Sequence, residues 1–144
     1  MIVNLTNKRY IAHSPFFAIN FSDRIRGMIG RKFGAVDFDA MVFTGCNAIH
    51  TFFMSQKIDV LFLDSDNKVV GLRKNLARWL MLVRCTKAVT IIELPEGVIE
   101  HSGTEIGHVI NVSEELVAGL STLMVKKNMA QEMESLVPYS ENDK

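Results

Sequence analysis

Three soft or borderline metal donors stand four residues apart in this chain: Cys46, His50 and Met54. Thiolate, imidazole and thioether together suit copper(I). A straight strand carries those eight residues over about 26 Å, and a helix still separates the two ends by about 12 Å. Only a tight bend around residues 45–50 gathers all three on one ion, and a further histidine (His13, His101 or His108) would have to join them. Cys46 and His50 also offer a second chemistry. An imidazole within hydrogen-bond reach activates a thiol as a nucleophile, with Asp59 or Glu93 as the orienting acid. No local pattern of a cysteine hydrolase surrounds Cys46. The plain alternative is that Phe52, Phe53 and Met54 are core and that Cys46 and His50 hold a loop by packing and hydrogen bonding.

The segment Arg26-Gly27-Met28-Ile29-Gly30-Arg31 offers anion chemistry. Two guanidiniums five positions apart flank two glycines. Glycine admits a close approach of ligand or backbone, and arginine forks onto carboxylate or phosphate. The plain reading pairs the arginines internally with acids such as Asp59 or Glu93. A second basic feature runs over residues 68–87, where Lys68, Arg73, Lys74, Arg78, Arg84 and Lys87 occur with no acid; Glu93, Glu96, Glu100 and Glu105 follow. This reads first as a solvated face compensated by neighbouring acids, and otherwise as an anion-facing or partner-facing strip. Trp79, the single tryptophan, reads as a core or rim residue.

These residues must be positioned by short elements. Residues 2–6 and 9–13 read as strands around an Asn7-Lys8 turn. Residues 59–64 and 69–72 read as a hairpin closed by the turn cluster 64–68, and residues 88–94, rich in β-branched side chains and stopped by Pro95, as another strand. Residues 108–112 read as a further strand. A helix is expected over 23–31 with Ser22 as its N-cap, shortened by its glycines, and a one- or two-turn helix over 96–102. A longer helix is expected over 113–137. Ser113 caps it, Glu114 and Glu115 suit its positive end, and Pro138 stops it. Leu116, Leu120, Leu123 and Met124 form its apolar stripe, which Met129, Met133 and Leu136 continue. Residues 138–144 read as a flexible tail.

Composition bounds the function. Of 144 residues, 48% are hydrophobic, enough for one domain with a core. Sixteen basic residues balance sixteen acidic ones, which argues against a general nucleic-acid binder. The longest uncharged run, residues 40–56, is too short and too polar to span a membrane. No secretory leader pattern opens the sequence, and two cysteines 39 positions apart form no disulfide framework or four-thiolate zinc pattern. A cytoplasmic protein with reduced thiols and no membrane partner is the expectation.

Four segments taken together resemble a known family: residues 26–31, then Met41-Val42-Phe43, then His50-Thr51-Phe52-Phe53-Met54 with residues 58–64, then Ile92-Glu93-Leu94-Pro95-Glu96-Gly97 with Ile106-Gly107. Their order and spacing resemble the bacterial and archaeal family known as domain of unknown function 192, in the branch carrying Cys-x-x-x-His-Thr-Phe-Phe-Met. The resemblance runs over about residues 9–112. This chain has Gly107-His108 where many members have Gly-Asp, and Met54-Ser55-Gln56-Lys57 where other branches have Met-Lys-Asn-Thr. The resemblance implies a compact, mainly antiparallel β domain and supplies no reaction.

The expectation is therefore a mainly β (α+β) fold, an antiparallel barrel or sandwich over 1–112, with the short Arg-Gly helix packed on it and a C-terminal helix added. Its function is that of a small binding or accessory module for an anionic small molecule or a peptide end, through Arg26, Arg31, Cys46, His50, Met54, Asp59 and Glu93. The alternatives are a cysteine-dependent enzyme using Cys46 and His50 and a copper(I) protein using Cys46, His50 and Met54. No cofactor is implied by the favoured reading. The chain is expected to be a monomer, or a weak homodimer through residues 114–137.

Overall fold

A computed structural model describes residues 1–112, so the helix expected over 113–137 and the tail over 138–144 lie outside the described residues. The element order is β1 (Ile2–Asn4), β2 (Arg9–Ala12), β3 (Pro15–Phe17), α1 (Phe21–Arg26), β4 (Ala40–Thr44), β5 (Ala48–Ile49), β6 (Ile58–Leu63), β7 (Val69–Leu76), β8 (Val83–Arg84), β9 (Thr90–Pro95), α2 (Val98–Ser102) and β10 (Ile110–Val112). They form a three-stranded sheet β10-β1-β2, a five-stranded sheet β3-β4-β9-β6-β7 and a two-stranded ribbon β5-β8. The mainly β expectation holds, and of its two forms the sandwich fits: the strands divide among separate sheets and do not close into one barrel.

Strands β6 and β9 are largely apolar towards both faces, with one acid each (Asp59 and Glu93), because both faces of the central sheet are covered. All six residues of β6 are buried. Leu61, Leu63, Ile92 and Leu94 pack with Ile2, Ile99 and Ile110 on one face. Ile58, Val60, Phe62 and Ile91 pack with Met28, Met41 and Phe43 on the other. Each such side chain contributes roughly 1.5–3 kcal/mol by leaving water. The β6–β7 hairpin is closed by Asp64, whose Oδ1 accepts from the N–H groups of Asp66 (2.9 Å) and Lys68 (3.0 Å), with Asn67 at φ +57°. Asp and Asn are favoured there because one bonds its own backbone and the other tolerates the left-handed region.

The pairing is mainly antiparallel, as expected; the exception is β3, which runs parallel to β4, as the long intervening segment carrying α1 allows. One boundary is corrected. The helix expected over 23–31 spans Phe21–Arg26, with Asn20 at its N-cap position and no side-chain cap bond; Ser22 lies inside it. It stops because Gly27 turns to φ +48°, ψ −128°, donating its N–H to Asp23 O (2.8 Å). Strand β3 and the ribbon β5-β8 are only two or three residues long, too short for a sequence period to announce them.

Candidate functional site

A cavity of about 200 Å³ opens between α1, β4, β5 and β9. An apolar cavity of about 150 Å³ admits a benzene ring, so this one has room for a ring or a branched aliphatic group. It brings together Arg26, Cys46, His50, Met54 and Glu93 of the residues singled out by sequence. Phe21 and Ile25 of α1, Phe43 of β4 and Ile49 of β5 supply further apolar wall.

Each polar member arrives by a separate local cause. Glu93 stands on β9 opposite Met41 of β4 and Val60 of β6. The pleat turns it to the face of Phe43 and Ile91, away from Ile92 and Leu94. It is buried, and its Oε2 has no hydrogen-bond partner among the described residues. Burial away from water pushes its pKa up to about 8, so at neutral pH the carboxyl keeps its proton and can donate as well as accept. His50 follows β5 directly, half-buried, with Nδ1 enclosed and unpartnered. A buried polar atom without a partner costs about 1–3 kcal/mol, and two such atoms on the wall of one cavity mark a place where a ligand could repay that cost. Arg26 lies at the exposed last turn of α1, its Nε making only a long bond to Ile29 O (3.5 Å). Its neighbour Arg24 is committed, donating from Nη1 to Thr44 O (2.7 Å) and fastening α1 to β4.

Two predicted site residues lie elsewhere. Arg31 is absorbed into a structural cluster. Its Nη2 meets Asp23 Oδ1 (3.4 Å), and its guanidinium sits over Phe16 (5.6 Å) and Phe38 (6.0 Å). The internal pairing that the plain reading assigned to Asp59 or Glu93 is thus made by Asp23. Asp59 is on the opposite face of the central sheet from Glu93. Its register partner is Leu94, whereas Val60 pairs with Glu93, and a one-residue offset reverses the face. There Asp59 accepts from the N–H groups of Asn75 (2.9 Å) and Ile99 (2.8 Å), tying β7 and the start of α2 to β6.

The two alternative chemistries gain no support. The Cys46 thiol donates to Ala48 O (3.1 Å), and no hydrogen bond joins it to His50 among the described residues. Among those residues there is also no group of three or more His, Cys, Asp or Glu side chains that could hold a metal ion. The histidines that would have completed a copper site are placed apart from the cavity. His13 and His101 line a separate hollow with Tyr10 and Glu96, and His108 Nδ1 lies 2.9 Å from Asn4 Nδ2. Both cysteines are free thiols.

Sequence reasoning missed Phe21, Ile25 and Phe43. Phe21 and Ile25 are an i, i+4 apolar pair, the spacing that puts two side chains on one helix face. That signal was available once the helix was known to start at Phe21 and not after Ser22.

A model of the DUF192 family, described as "Uncharacterized ACR", matches residues 5–112. A UPF0127 protein of Thermococcus sibiricus is 40% identical over 117 residues, covering 77% of this chain and 73% of that one. A UPF0127 protein of Pyrococcus furiosus is 37% identical over 108 residues, covering 74% and 92%. The crystal structure of a protein of unknown function from Novosphingobium aromaticivorans is similar in fold, with a TM-score of 0.66 at 15% identity, covering 77% of this chain and 82% of that one.

Proposed function

The chain belongs to the prokaryotic DUF192 family, and from that premise we propose that it is a small binding module for an apolar group bearing a carboxylate, supplied by a small molecule or a peptide end. The observation that carries this reading is the coincidence, on one apolar cavity, of two enclosed and unpartnered polar atoms, Glu93 Oε2 and His50 Nδ1. An apolar body the size of a ring or a leucine side chain fills the space between Phe43, Ile49 and Met54. The protonated Glu93 and the His50 ring then hydrogen-bond a polar atom of the ligand at the cavity wall, which only the correct ligand satisfies. Arg26, at the mouth and little engaged by the protein, forks onto the carboxylate.

Titration calorimetry and thermal shift with acetate, isovalerate, phenylacetate and N-acetyl-leucine test the reading. Isovalerate and phenylacetate stabilise the protein if the source is a small molecule, and N-acetyl-leucine does so if it is a peptide end; acetate, lacking the apolar body, does neither. Arg26→Ala weakens the binding about tenfold or more, as loss of one charge-assisted hydrogen bond would. Absence of stabilisation by all three apolar carboxylates overturns the proposal.

A further inference from the structure

A second surface is unrelated to that cavity's ligand. Between β7 and β8 four consecutive apolar residues face solvent: Trp79 (54% exposed), Leu80 (37%), Met81 (78%) and Leu82 (61%). Phe53, 62% exposed, joins them, its ring centroid 5.2 Å from that of Trp79, and Phe52 lies edge-on to Trp79 and tilted against Phe53. Single exposed apolar residues are ordinary, but a contiguous exposed cluster marks an interaction surface.

The cluster is held in place by a built device. Buried Thr51 makes four bonds to the connection. Its O accepts from Trp79 N (3.0 Å), its N donates to Leu80 O (2.9 Å), its Oγ1 accepts from Leu80 N (2.9 Å), and that hydroxyl donates to Ala77 O (2.8 Å). Phe53 and Trp79 both sit at positive φ, +58° and +67°, which for bulky residues costs energy and persists only where the surroundings impose it. The fold thus spends strain to present these aromatics outward.

What surrounds them is basic. Arg78 and Arg84 bracket the four apolar residues, with Arg73, Lys74 and Lys87 further along the same segment, all exposed. The compensating acids expected for this strip are missing: none of these side chains is in an ion pair with another described residue. Aromatic and aliphatic side chains projecting between exposed cations match the boundary of an anionic bilayer, where Trp sits at headgroup level, the aliphatic tips enter the acyl region, and Lys and Arg meet lipid phosphates.

We propose that the β7–β8 connection, residues 79–82 with Phe53, is a peripheral anchor that docks on an anionic lipid surface. The earlier expectation of no membrane partner rested on the lack of a spanning segment, and a peripheral anchor needs none; no helix among the described residues is long and apolar enough to cross a membrane.

Trp79, the single tryptophan, reports directly. The full chain is mixed with vesicles of phosphatidylcholine alone or of phosphatidylcholine and phosphatidylglycerol in equal parts, and emission and co-flotation are followed. The expected result is a blue shift and flotation with the anionic vesicles only, weakened by salt. Met81→Asp abolishes the shift, and Arg84→Ala, which removes one charge, lowers partitioning about fivefold, given roughly 1 kcal/mol per basic residue near such a surface. Both positions are exposed, so circular dichroism should confirm an unchanged fold. Three results overturn the proposal: no shift with anionic vesicles; the same shift with soluble polyglutamate, which points to an acidic protein partner; or a concentration-dependent dimer that Met81→Asp dissociates, which assigns the surface to a second copy.

Discussion

Glu93 is a fully buried acid on the cavity wall, and its protonation has a measurable consequence for stability. In the folded chain it holds its proton up to about pH 8, against 4.5 for an ordinary glutamate, because burial penalises the charged form. Between those values the unfolded chain has released that proton and the folded chain has not. Glu93 therefore costs no stability below about pH 4.5, erodes it progressively as the pH rises towards 8, and levels off above. Glu93→Gln is neutral throughout, so its melting temperature should match wild type near pH 4.5 and exceed it at pH 8. Equal profiles across that range would refute a protonated Glu93. The other buried acid serves the opposite purpose. Asp59 accepts two backbone N–H groups, so Asp59→Ala should lower the unfolding free energy by about 1–3 kcal/mol for each donor left unpaired. Both acids were visible as residues, but their settings were not, because one position of strand register separates a cavity-facing carboxyl from one bonded to backbone.

Among the elements, α1 decides the shape of the cavity, since Phe21, Ile25, Arg26 and the following Gly27 all line it. Its end is fixed by the backbone of Gly27. A Cβ built there would meet the Phe43 ring at 3.7 Å, an ordinary contact, so the cost of Gly27→Ala is the φ of +48° itself. Urea unfolding should report a loss of about 1–3 kcal/mol, with weaker binding of the apolar carboxylates as α1 shifts. The connection after β7 depends on Thr51 in the same way. Thr51→Val keeps the size and removes both side-chain bonds, so the amide of Leu80 should exchange with solvent faster while those of β6 keep their protection. Unchanged exchange at Leu80 would mean the clip does not hold the connection. The hairpin β6–β7 was legible because Asp64-Ser65-Asp66-Asn67 combines turn chemistry with flanking apolar runs. The ends of α1 were not, because no side-chain cap marks its start.

At the scale of the molecule, the five-stranded sheet serves two cores at once, since β6 and β9 contribute alternate residues to each. The two faces should therefore unfold together. Leu61→Ala on one face and Phe62→Ala on the other should each cost about 2–5 kcal/mol, and both should lower one shared transition, whether it is followed by Trp79 emission or by far-ultraviolet dichroism. Separate transitions for the two variants would divide the domain in two.

The strand-rich character, the central hairpin, the apolar stretches of β6 and β9, and the family that residues 5–112 match were all legible from the order of residues alone. Periodicity, turn chemistry and motif order are local properties, written in neighbouring residues. Which residues share a cavity was decided only by the tertiary structure. Arg26 and Glu93, 67 positions apart, line one cavity, while Arg31 and Asp59, equally eligible by type, are turned to Asp23 and to the far side of the sheet. Long-range strand register and side-chain burial make that choice, and neither is encoded in any short window of the chain.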